Sequence, residues 1–319
     1  SSDVSTTEAS FVAPVAADGT DEACLAAAAA DADAVVDAAT GRPARVSERL
    51  AATPIALKAV AGITPAARDR EAPPPAVVTD ALARFGIAGA SGLYLIEGGG
   101  ASGKSWILRA FVAELARAQQ RGGEGAAAAP ALWLPLRLPL ASLAADEPID
   151  DAIAKHEHTA ALVKARDERR LVLLLDGLDE VPRARRAAIL EAVDAAAAAG
   201  AVVVLSSRPS AANADELAPL GFRFFAAMPL RADAVAAALD NAPTAEIVET
   251  PLALSLAKRA LERGEAPTTR AELYKSAIDQ RVAESRGGGA PSLLAREAFV
   301  NAETTRTLLR RLAARAHAA

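Results

Sequence analysis

Short apolar runs alternate with amphipathic stretches through the middle of the chain. The apolar runs lie at 93–96, 131–138, 171–175 and 202–205, with a weaker one at 222–227. The intervening stretches that carry a helical pattern are 104–120, 148–169 and 183–199. Because the apolar runs do not alternate with polar residues, we expect both faces of each strand to be covered, as in a parallel sheet. The pattern therefore predicts an α/β fold with a five-stranded parallel sheet flanked by helices.

The chain before this region carries alanine-rich helical patterns, at 21–39 and at 44–62. The segment "DREAPPPAVV" at 69–78 follows them, and its three prolines cannot lie inside a helix, so it predicts a linker. We therefore expect a helical N-terminal extension over residues 1–75. Its role, as an adaptor or as an effector, stays open.

After Pro229 only helical patterns remain. They cover 231–240, 251–263, 268–286 and 291–317. We therefore expect the α/β domain to span 76–230, and residues 231–319 to form a helical lid and the start of a further domain. Because the chain begins without methionine and ends inside a helical pattern, we expect it to be a fragment of a longer protein.

Composition and charge narrow the classes of function. The chain has 319 residues, of which 52% are hydrophobic and 3% aromatic, and a formal net charge of −5. This charge disfavours broad binding to nucleic acid, although a local basic patch stays open. The single cysteine excludes an internal disulfide and fits a cytoplasmic protein. No charge-free apolar stretch reaches the ~18 residues of a membrane span, so we expect none.

The segment between the first strand and the first helix of this domain carries the clearest chemical signal. It matches the phosphate-loop pattern G-x-x-x-x-G-K-[ST] with Gly98, Gly99, Gly100, Ala101, Ser102, Gly103, Lys104 and Ser105. Glycines let backbone N–H groups converge on phosphate oxygens, and the N-terminus of the following helix adds partial positive charge. We expect Lys104 to reach the β- and γ-phosphates of a nucleotide, and Ser105 to bind Mg²⁺.

A cluster of acidic residues follows the third strand, in "LVLLLDGLDEVP". Asp176 ends that strand, at the edge where parallel sheets present their ligands, so we predict that it binds Mg²⁺. Gly177 permits a sharp turn that brings Asp179 and Glu180 back toward the same place. Asp179 is the preferred group for polarising the attacking water, with Glu180 as the alternative.

The fourth strand ends in polar residues, in "VVVLSSRP" at 202–209. A parallel strand beside both motifs would direct Ser206, Ser207 and Arg208 toward the γ-phosphate. An arginine there can sense or stabilise phosphate charge, which makes Arg208 a candidate catalytic residue. The alternative interpretation is a surface arginine before a helix-starting proline.

Together these segments resemble the NACHT-type signalling NTPases of the STAND class. The acidic motif at 171–180 has that family's Asp-Gly-Leu-Asp-Glu form, and "LSSRP" is similar to its sensor segment. Further segments are similar to the family in its own order: "LPLRLPLASL" at 134–143, "MPL" at 228–230, "TPLALSLAKRAL" at 250–261 and "TRAELYKSAID" at 269–279. The phosphate loop departs from the family, because Gly100-Ala101 replaces a frequent proline and Trp106 replaces a usual second Ser or Thr.

The resemblance implies an architecture and a cycle. The sheet would have the order 5-1-4-3-2, followed by a helical lid and a winged helix of which the chain holds only the start. Pro251 would pack near the base and sugar, and Trp106 joins the phosphate loop in the cofactor-binding set. The resting state would be an ADP-bound monomer that oligomerises with ATP when a sensor detects a ligand, as in intracellular or anti-phage defence.

Three classes of function remain open from the sequence. The first is a slowly hydrolysing, Mg²⁺-dependent switch that binds ATP and ADP, with GTP as the alternative nucleotide. The second is an AAA+ or origin-recognition-type ATPase that acts on nucleic acid, and the third is a nucleotide-binding scaffold without turnover. The Asp-Gly-Leu-Asp-Glu form favours the switch over the second class, in which the catalytic acid usually follows the metal-binding Asp directly. The intact Lys104, Ser105, Asp176 and Asp179 argue against the third.

Overall fold

The chain divides into two compact units. The first comprises Ser1–Ala34, Leu57–Gly99 and Lys104–Ala227, and the second comprises Val35–Ala56, Gly100–Gly103 and Met228–Ala319. The structure, a computed structural model, describes residues 19–36, 43–46, 55–60, 76–85, 87, 92–122, 132–143, 147–209 and 217–286. The predicted helix over 291–317 lies outside these residues.

Helices and short strands alternate along the first unit. Its helices are α1 (Gly19–Asp33), α2 (Ala76–Ala83), α3 (Lys104–Gly122), α4 (Ile149–Ala154), α5 (Thr159–Asp167) and α6 (Arg183–Ala198). The strands of the chain are β1 (Ala34–Val36), β2 (Pro43–Arg45), β3 (Leu57–Ala59), β4 (Leu93–Glu97), β5 (Leu134–Pro139), β6 (Leu171–Asp176), β7 (Val202–Ser207) and β8 (Arg223–Ala227). Short 3₁₀ turns cover Leu140–Ser142, Leu178–Glu180 and Ala218–Leu220.

Six of these strands form one sheet in the order β3-β8-β4-β7-β6-β5, while β1 and β2 pair separately. Among the described strands of this sheet, β3 alone is antiparallel, to β8, and the other five are parallel to one another. Numbered along the chain, the five parallel strands have the order 5-1-4-3-2. The predicted α/β fold and its strand order are therefore confirmed.

The central strands are covered on both faces, as their apolar patterns predict. Every residue of β7 is buried, and so are all but the last residues of β4 and β6. Helix α3 adds Ile107, Leu108 and Leu115 to the core, each at most 1% exposed. Each such side chain stabilises the fold by about 1.5–3 kcal/mol when it leaves water. The strand ends that carry the predicted site are thus anchored in a well-packed core.

A helix is predicted over 44–62, but the structure has strands in two parts of this segment, so the prediction is wrong there. Residues 44–45 belong to β2, and residues 57–59 form β3 on the edge of the main sheet. Leu57 buries its side chain in the sheet, and this tertiary pairing outweighs the helical propensity of the neighbouring alanines.

Two other predicted helices differ from the observed ones. The helix predicted over 21–39 ends at Asp33, because β-branched valines follow and join β1. The helix predicted over 148–169 is two helices, α4 and α5, with a turn between them. The hydroxyl of Thr159 donates to the carbonyl of Ile153 across this turn (2.7 Å), which stabilises the break.

Helix α1 packs inside the first unit through apolar and ionic contacts. Cys24 and Leu25 belong to its buried core. The side chain of Asp21 is 1% exposed, and its Oδ2 lies 3.0 Å from Nη2 of Arg170, which is itself 7% exposed. Arg170 also donates through Nε to Glu168 (2.8 Å). A buried ion pair therefore links α1 to the start of β6.

The C-terminal part of the second unit is helical. It contains a 3₁₀ turn at Pro243–Ile247 and the helices α7 (Ala232–Ala238), α8 (Pro251–Glu262) and α9 (Arg270–Arg286). Thr250 caps α8 by accepting the N–H of Ala253 (3.2 Å), and Pro251 occupies the first helical position. Thr269 and Glu272 cap the start of α9 reciprocally, each accepting the other's N–H (3.2 Å). No helix in the described ranges is long and apolar enough to cross a membrane.

We expect the substitution Arg170→Ala to lower the free energy of unfolding by about 3–5 kcal/mol, because it leaves the buried Asp21 carboxylate without its guanidinium partner. Urea-induced unfolding measures the change. The matched control is Arg166→Ala, which removes an arginine paired at the surface with Asp150 and should cost about 1 kcal/mol or less. Equal losses in the two variants would contradict a structural role for the buried pair.

Candidate nucleotide site

The predicted phosphate loop follows β4 and ends where Lys104 begins α3. The N–H of Gly98 donates to the carbonyl of Ser207 (3.2 Å), which fixes the start of the loop to the end of β7. At Gly99 and Gly100 an added side chain would meet no atom within 4 Å. The loop backbone at these two glycines is therefore open to a ligand.

Gly103 occupies a position that only glycine fits. Its φ is +91°, and an added Cβ would lie 2.3 Å from Cδ1 of Ile55 and 3.0 Å from Cγ of Pro251. Ala101 also has a positive φ, 63°, so the loop contains a sharp local turn. Pro251, which the sequence analysis assigns to the cofactor-binding set, thus contacts the last glycine of the loop. Ile55 is a contact that the sequence analysis did not predict.

Three further residues of the cofactor-binding set, Ser102, Ser105 and Trp106, differ in their surroundings. Ser105 is exposed in the first turn of α3, and Trp106 is half-buried. Ser102 has a buried Oγ that makes no hydrogen bond to any described residue. A buried hydroxyl without a partner costs about 1–3 kcal/mol, so Ser102 carries a polar atom that a bound ligand could satisfy.

The ammonium group of Lys104 is held by the loop itself. Its Nζ donates to the carbonyls of Gly98 (2.7 Å) and Gly99 (3.0 Å). Burial lowers the pKa of Lys104, and the charge of Arg208 lowers it further, whereas Asp179 raises it. The carboxylates of Asp176 and Glu180 raise the pKa of Lys104, as Asp179 does.

Asp176 is fixed at the end of β6 by the neighbouring strand. The hydroxyl of Ser206 on β7 donates to Oδ1 of Asp176 (2.6 Å) and accepts the N–H of Gly177 (2.9 Å). Ser206 is fully buried, so it positions Asp176 and does not face the γ-phosphate as the sequence analysis expected. Ser207 is also fully buried and donates to the carbonyl of Arg208 (3.2 Å). Buried side chains tied to protein groups account for this difference.

Asp179 and Arg208 form an ion pair. Nε of Arg208 lies 3.0 Å from Oδ2 of Asp179, and its backbone N–H donates to Oδ1 (3.0 Å). The side chain of Arg208 is 61% exposed and that of Asp179 is 20% exposed. Arg186 on α6 donates to the carbonyls of Asp179 (3.3 Å) and Val181 (3.2 Å) and holds the turn in place. The predicted sensor and the predicted water-polarising group thus bind each other.

Glu180 folds back over the turn that follows β6. Gly177 has φ +86°, and a Cβ there would lie 3.2 Å from Cδ and from Oε2 of Glu180. Glu180 is exposed at the surface. The sharp turn predicted from Gly177 is present, and it brings Glu180 beside the end of β6.

Two arginines near Asp176 were not predicted from the sequence. Nη1 of Arg137, on β5, lies 3.8 Å from Oδ2 of Asp176. Arg109, on α3, donates to the carbonyls of Asp31 (2.8 Å) and Ala34 (3.2 Å) at the end of α1. The signal available for Arg137 was a charged residue inside the apolar strand "LPLRLP". Nothing in the sequence pattern placed Arg109 beside α1.

The residues gathered here fit a nucleotide with Mg²⁺. The unsatisfied Oγ of Ser102 and the ammonium of Lys104 can donate to phosphate oxygens, and the space around Gly99 and Gly100 leaves the loop open to them. Mg²⁺ in such sites takes one or two protein ligands and completes its shell with phosphate oxygens and water. In the described part of the chain, no group of three or more His, Cys, Asp or Glu side chains could hold a metal.

Among known proteins, the chain aligns with parts of solved structures at low sequence identity and low TM-score. No family model and no curated protein matches the chain. The structure of C. elegans PCH-2 aligns with a TM-score of 0.32 and 11% identity, over 68% of this chain and 61% of that one. Drosophila ORC bound to DNA aligns with a TM-score of 0.34 and 19% identity, over 72% of this chain and 56% of that one. The chain thus spans less than two thirds of the length of either.

The fold is that of a P-loop NTPase. A glycine-rich loop joins the strand β4 to the helix α3, and the parallel strands have the order 5-1-4-3-2. An acidic residue ends β6, two strands away from the loop, with β7 between them. These features are observed in this chain and do not depend on the aligned structures.

Proposed function

We propose that the chain binds a purine nucleoside di- or triphosphate with Mg²⁺ at the loop over residues 98–105 and acts as a slowly hydrolysing switch. The observation that carries this proposal is that β4, β7 and β6 are neighbours in the sheet, so that the loop before Lys104 lies at the same edge as Asp176, Asp179 and Arg208. One lysine, one arginine and several carboxylates around open loop backbone are the groups that phosphoryl transfer requires.

The phosphates would bind along the loop. Lys104 is partly desolvated and holds two carbonyls, so a polyphosphate offers it a stronger acceptor than neutral oxygens do. Ser105 and Asp176 would hold Mg²⁺, with Ser206 fixing Asp176 in place. When bound, Mg²⁺ neutralises charge on the β- and γ-phosphate oxygens. Pro251 and Trp106 complete the cofactor-binding set of this proposal.

The ion pair between Asp179 and Arg208 would respond to the γ-phosphate. Arg208 is largely exposed and its pair with Asp179 is accessible to water, so a phosphate dianion can compete for the guanidinium. Asp179 would then be free to polarise the attacking water, with Glu180 as the alternative group. In the diphosphate state the pair re-forms, which gives the site two arrangements that depend on the nucleotide.

A signalling role is supported by the sequence resemblance to NACHT-type switches of the STAND class. The segments of that resemblance follow the family's order from the phosphate loop to the helices α8 and α9. By this proposal the triphosphate state self-associates after a trigger ligand binds, as in intracellular or anti-phage defence. ATP is the expected nucleotide, with GTP as the alternative.

We expect Lys104→Ala to weaken the binding of ADP and of a nonhydrolysable ATP analogue by roughly 10- to 150-fold, because charge-assisted hydrogen bonds to phosphate are lost. Anisotropy of a fluorescent nucleotide analogue measures the affinity. The control is Lys155→Ala, which removes a surface lysine paired with Glu147 and should leave the affinity unchanged. Unchanged affinity in Lys104→Ala would contradict the loop as the phosphate site.

We expect Asp179→Asn to keep nucleotide binding and to slow hydrolysis by roughly 100-fold or more, because the amide cannot accept a proton from water. Phosphate release at saturating nucleotide measures the rate. Glu180→Gln is the matched substitution one position away and should have the smaller effect. The reverse order would transfer the water-polarising role to Glu180.

The proposed switch predicts a mass that depends on the nucleotide. Size exclusion with light scattering, on the chain with Mg-ADP and then with a nonhydrolysable ATP analogue, should show larger species only with the analogue. Lys104→Ala should stay small in both conditions. Assembly that requires an added DNA duplex would favour the nucleic-acid class of ATPase, and a constant mass with bound nucleotide would contradict self-association of this chain.

A further inference from the structure

We propose that Arg137 is a positioning residue that couples helix α1 to the metal-binding carboxylate, because it shares its charge between Asp31 on α1 and Asp176. This inference rests on the proposed function, in which Asp176 binds Mg²⁺. Arg137 and Mg²⁺ compete for the same carboxylate, and Asp31 weakens the competition by attracting the guanidinium toward α1. The contact of α1 with Arg137 thus sets how readily Asp176 takes the metal.

The guanidinium of Arg137 lies between two carboxylates and is held tightly by neither. Its Nη1 is 3.8 Å from Oδ2 of Asp176, and its Nη2 is 3.9 Å from Oδ2 of Asp31. Both distances exceed a normal hydrogen bond. The side chains of Arg137 and Asp176 are each only 13% exposed, and Nε of Arg137 makes no hydrogen bond to any described residue. The guanidinium is therefore nearly buried between two carboxylates, without a hydrogen bond that would hold it to either one.

Arg109 ties the same end of α1 to the helix of the phosphate loop. It lies on α3 and donates to the carbonyl of Asp31 in the last turn of α1 and to that of Ala34, the first residue of β1. Terminal carbonyls of a helix lack partners within the helix, so a guanidinium there is favourable. Burial lowers the pKa of Arg109, and the nearby charge of Arg137 lowers it further. Both arginines thus lie beside Asp31, Arg109 through its backbone carbonyl and Arg137 through its carboxylate.

The consequence follows from the balance of charge. The guanidinium of Arg137 lies near two carboxylates, those of Asp31 and Asp176, and Mg²⁺ at Asp176 would take one of these partners away. Asp31 is then the carboxylate that remains for Arg137, and its side chain is 73% exposed. An exposed carboxylate holds its partner weakly, so a small displacement of α1 would return Arg137 to Asp176 and oppose the metal.

The test is a Mg²⁺ titration of the full chain at a fixed concentration of a fluorescent ADP analogue, read as anisotropy. Asp31→Asn should raise the Mg²⁺ concentration at half-saturation by about two- to fivefold, as expected for loss of an exposed charge pair. Arg137→Gln should lower it, because the competing cation is gone. In the Arg137→Gln background, Asp31→Asn should have no further effect.

The controls separate this coupling from simpler effects. Glu22→Gln removes the same charge from α1, nine residues from Asp31 and about 14 Å along the helix, and it should not change the titration. Arg137→Lys keeps the cation and should restore a midpoint near the wild-type value. Asp31→Asn alters an exposed side chain, so its result does not depend on tolerance of substitutions at the nearly buried Arg137.

Each contrary outcome has a distinct meaning. An equal shift from Asp31→Asn with and without Arg137 would indicate a direct field on the metal and would overturn the inference. A second contrary outcome is that ADP binding to the wild-type chain depends on Mg²⁺ while Asp31→Asn leaves the Mg²⁺ midpoint unchanged. That result would overturn the inference and leave the proposed function intact. A wild-type chain without Mg²⁺-dependent ADP binding would overturn both the inference and the proposed function.

Discussion

The place of β7 between β4 and β6 is the constraint on which the candidate site depends. Parallel strands end at the same edge, so the loop after β4, the polar end of β7 and Asp176 at the end of β6 meet there. Ser206 uses this adjacency directly, because it reaches across from β7 to Asp176 and to the N–H of Gly177. Because these strands are buried, their ends have fixed positions, and so do the charged residues that follow them at this edge.

The cations of the site are held by protein groups that a nucleotide could replace. Lys104 holds two loop carbonyls, Arg208 pairs with Asp179, and Arg137 lies loosely between Asp31 and Asp176. Each partner is weaker for the cation than a phosphate oxygen would be, because it is neutral, exposed or distant. The arrangement keeps the charges balanced without a ligand and leaves them ready to rearrange around one. This is the physical basis of the proposed switch and of its coupling to α1.

The features that could be predicted from the sequence are those that short local patterns determine. The apolar runs and the helical stretches between them predicted the parallel sheet, and the order of the strands followed from the family resemblance. The edge strand β3 was missed, because "LKA" becomes a strand only through pairing with β8. The contacts of Ser206, Arg137 and Arg109 were also missed, since each joins residues that are distant along the chain. Spacing cannot reveal such contacts without knowledge of the neighbouring strands and helices.

The central claim is that the loop over residues 98–105 binds the phosphates of a nucleotide. An experimental structure of the chain determined with Mg-ADP tests it most directly. The account predicts that the diphosphate lies along the loop backbone, that Nζ of Lys104 leaves the carbonyls of Gly98 and Gly99 for a phosphate oxygen, and that the metal lies beside Ser105 and Asp176. A diphosphate bound elsewhere, or Lys104 still bonded to both carbonyls beside it, would contradict the account.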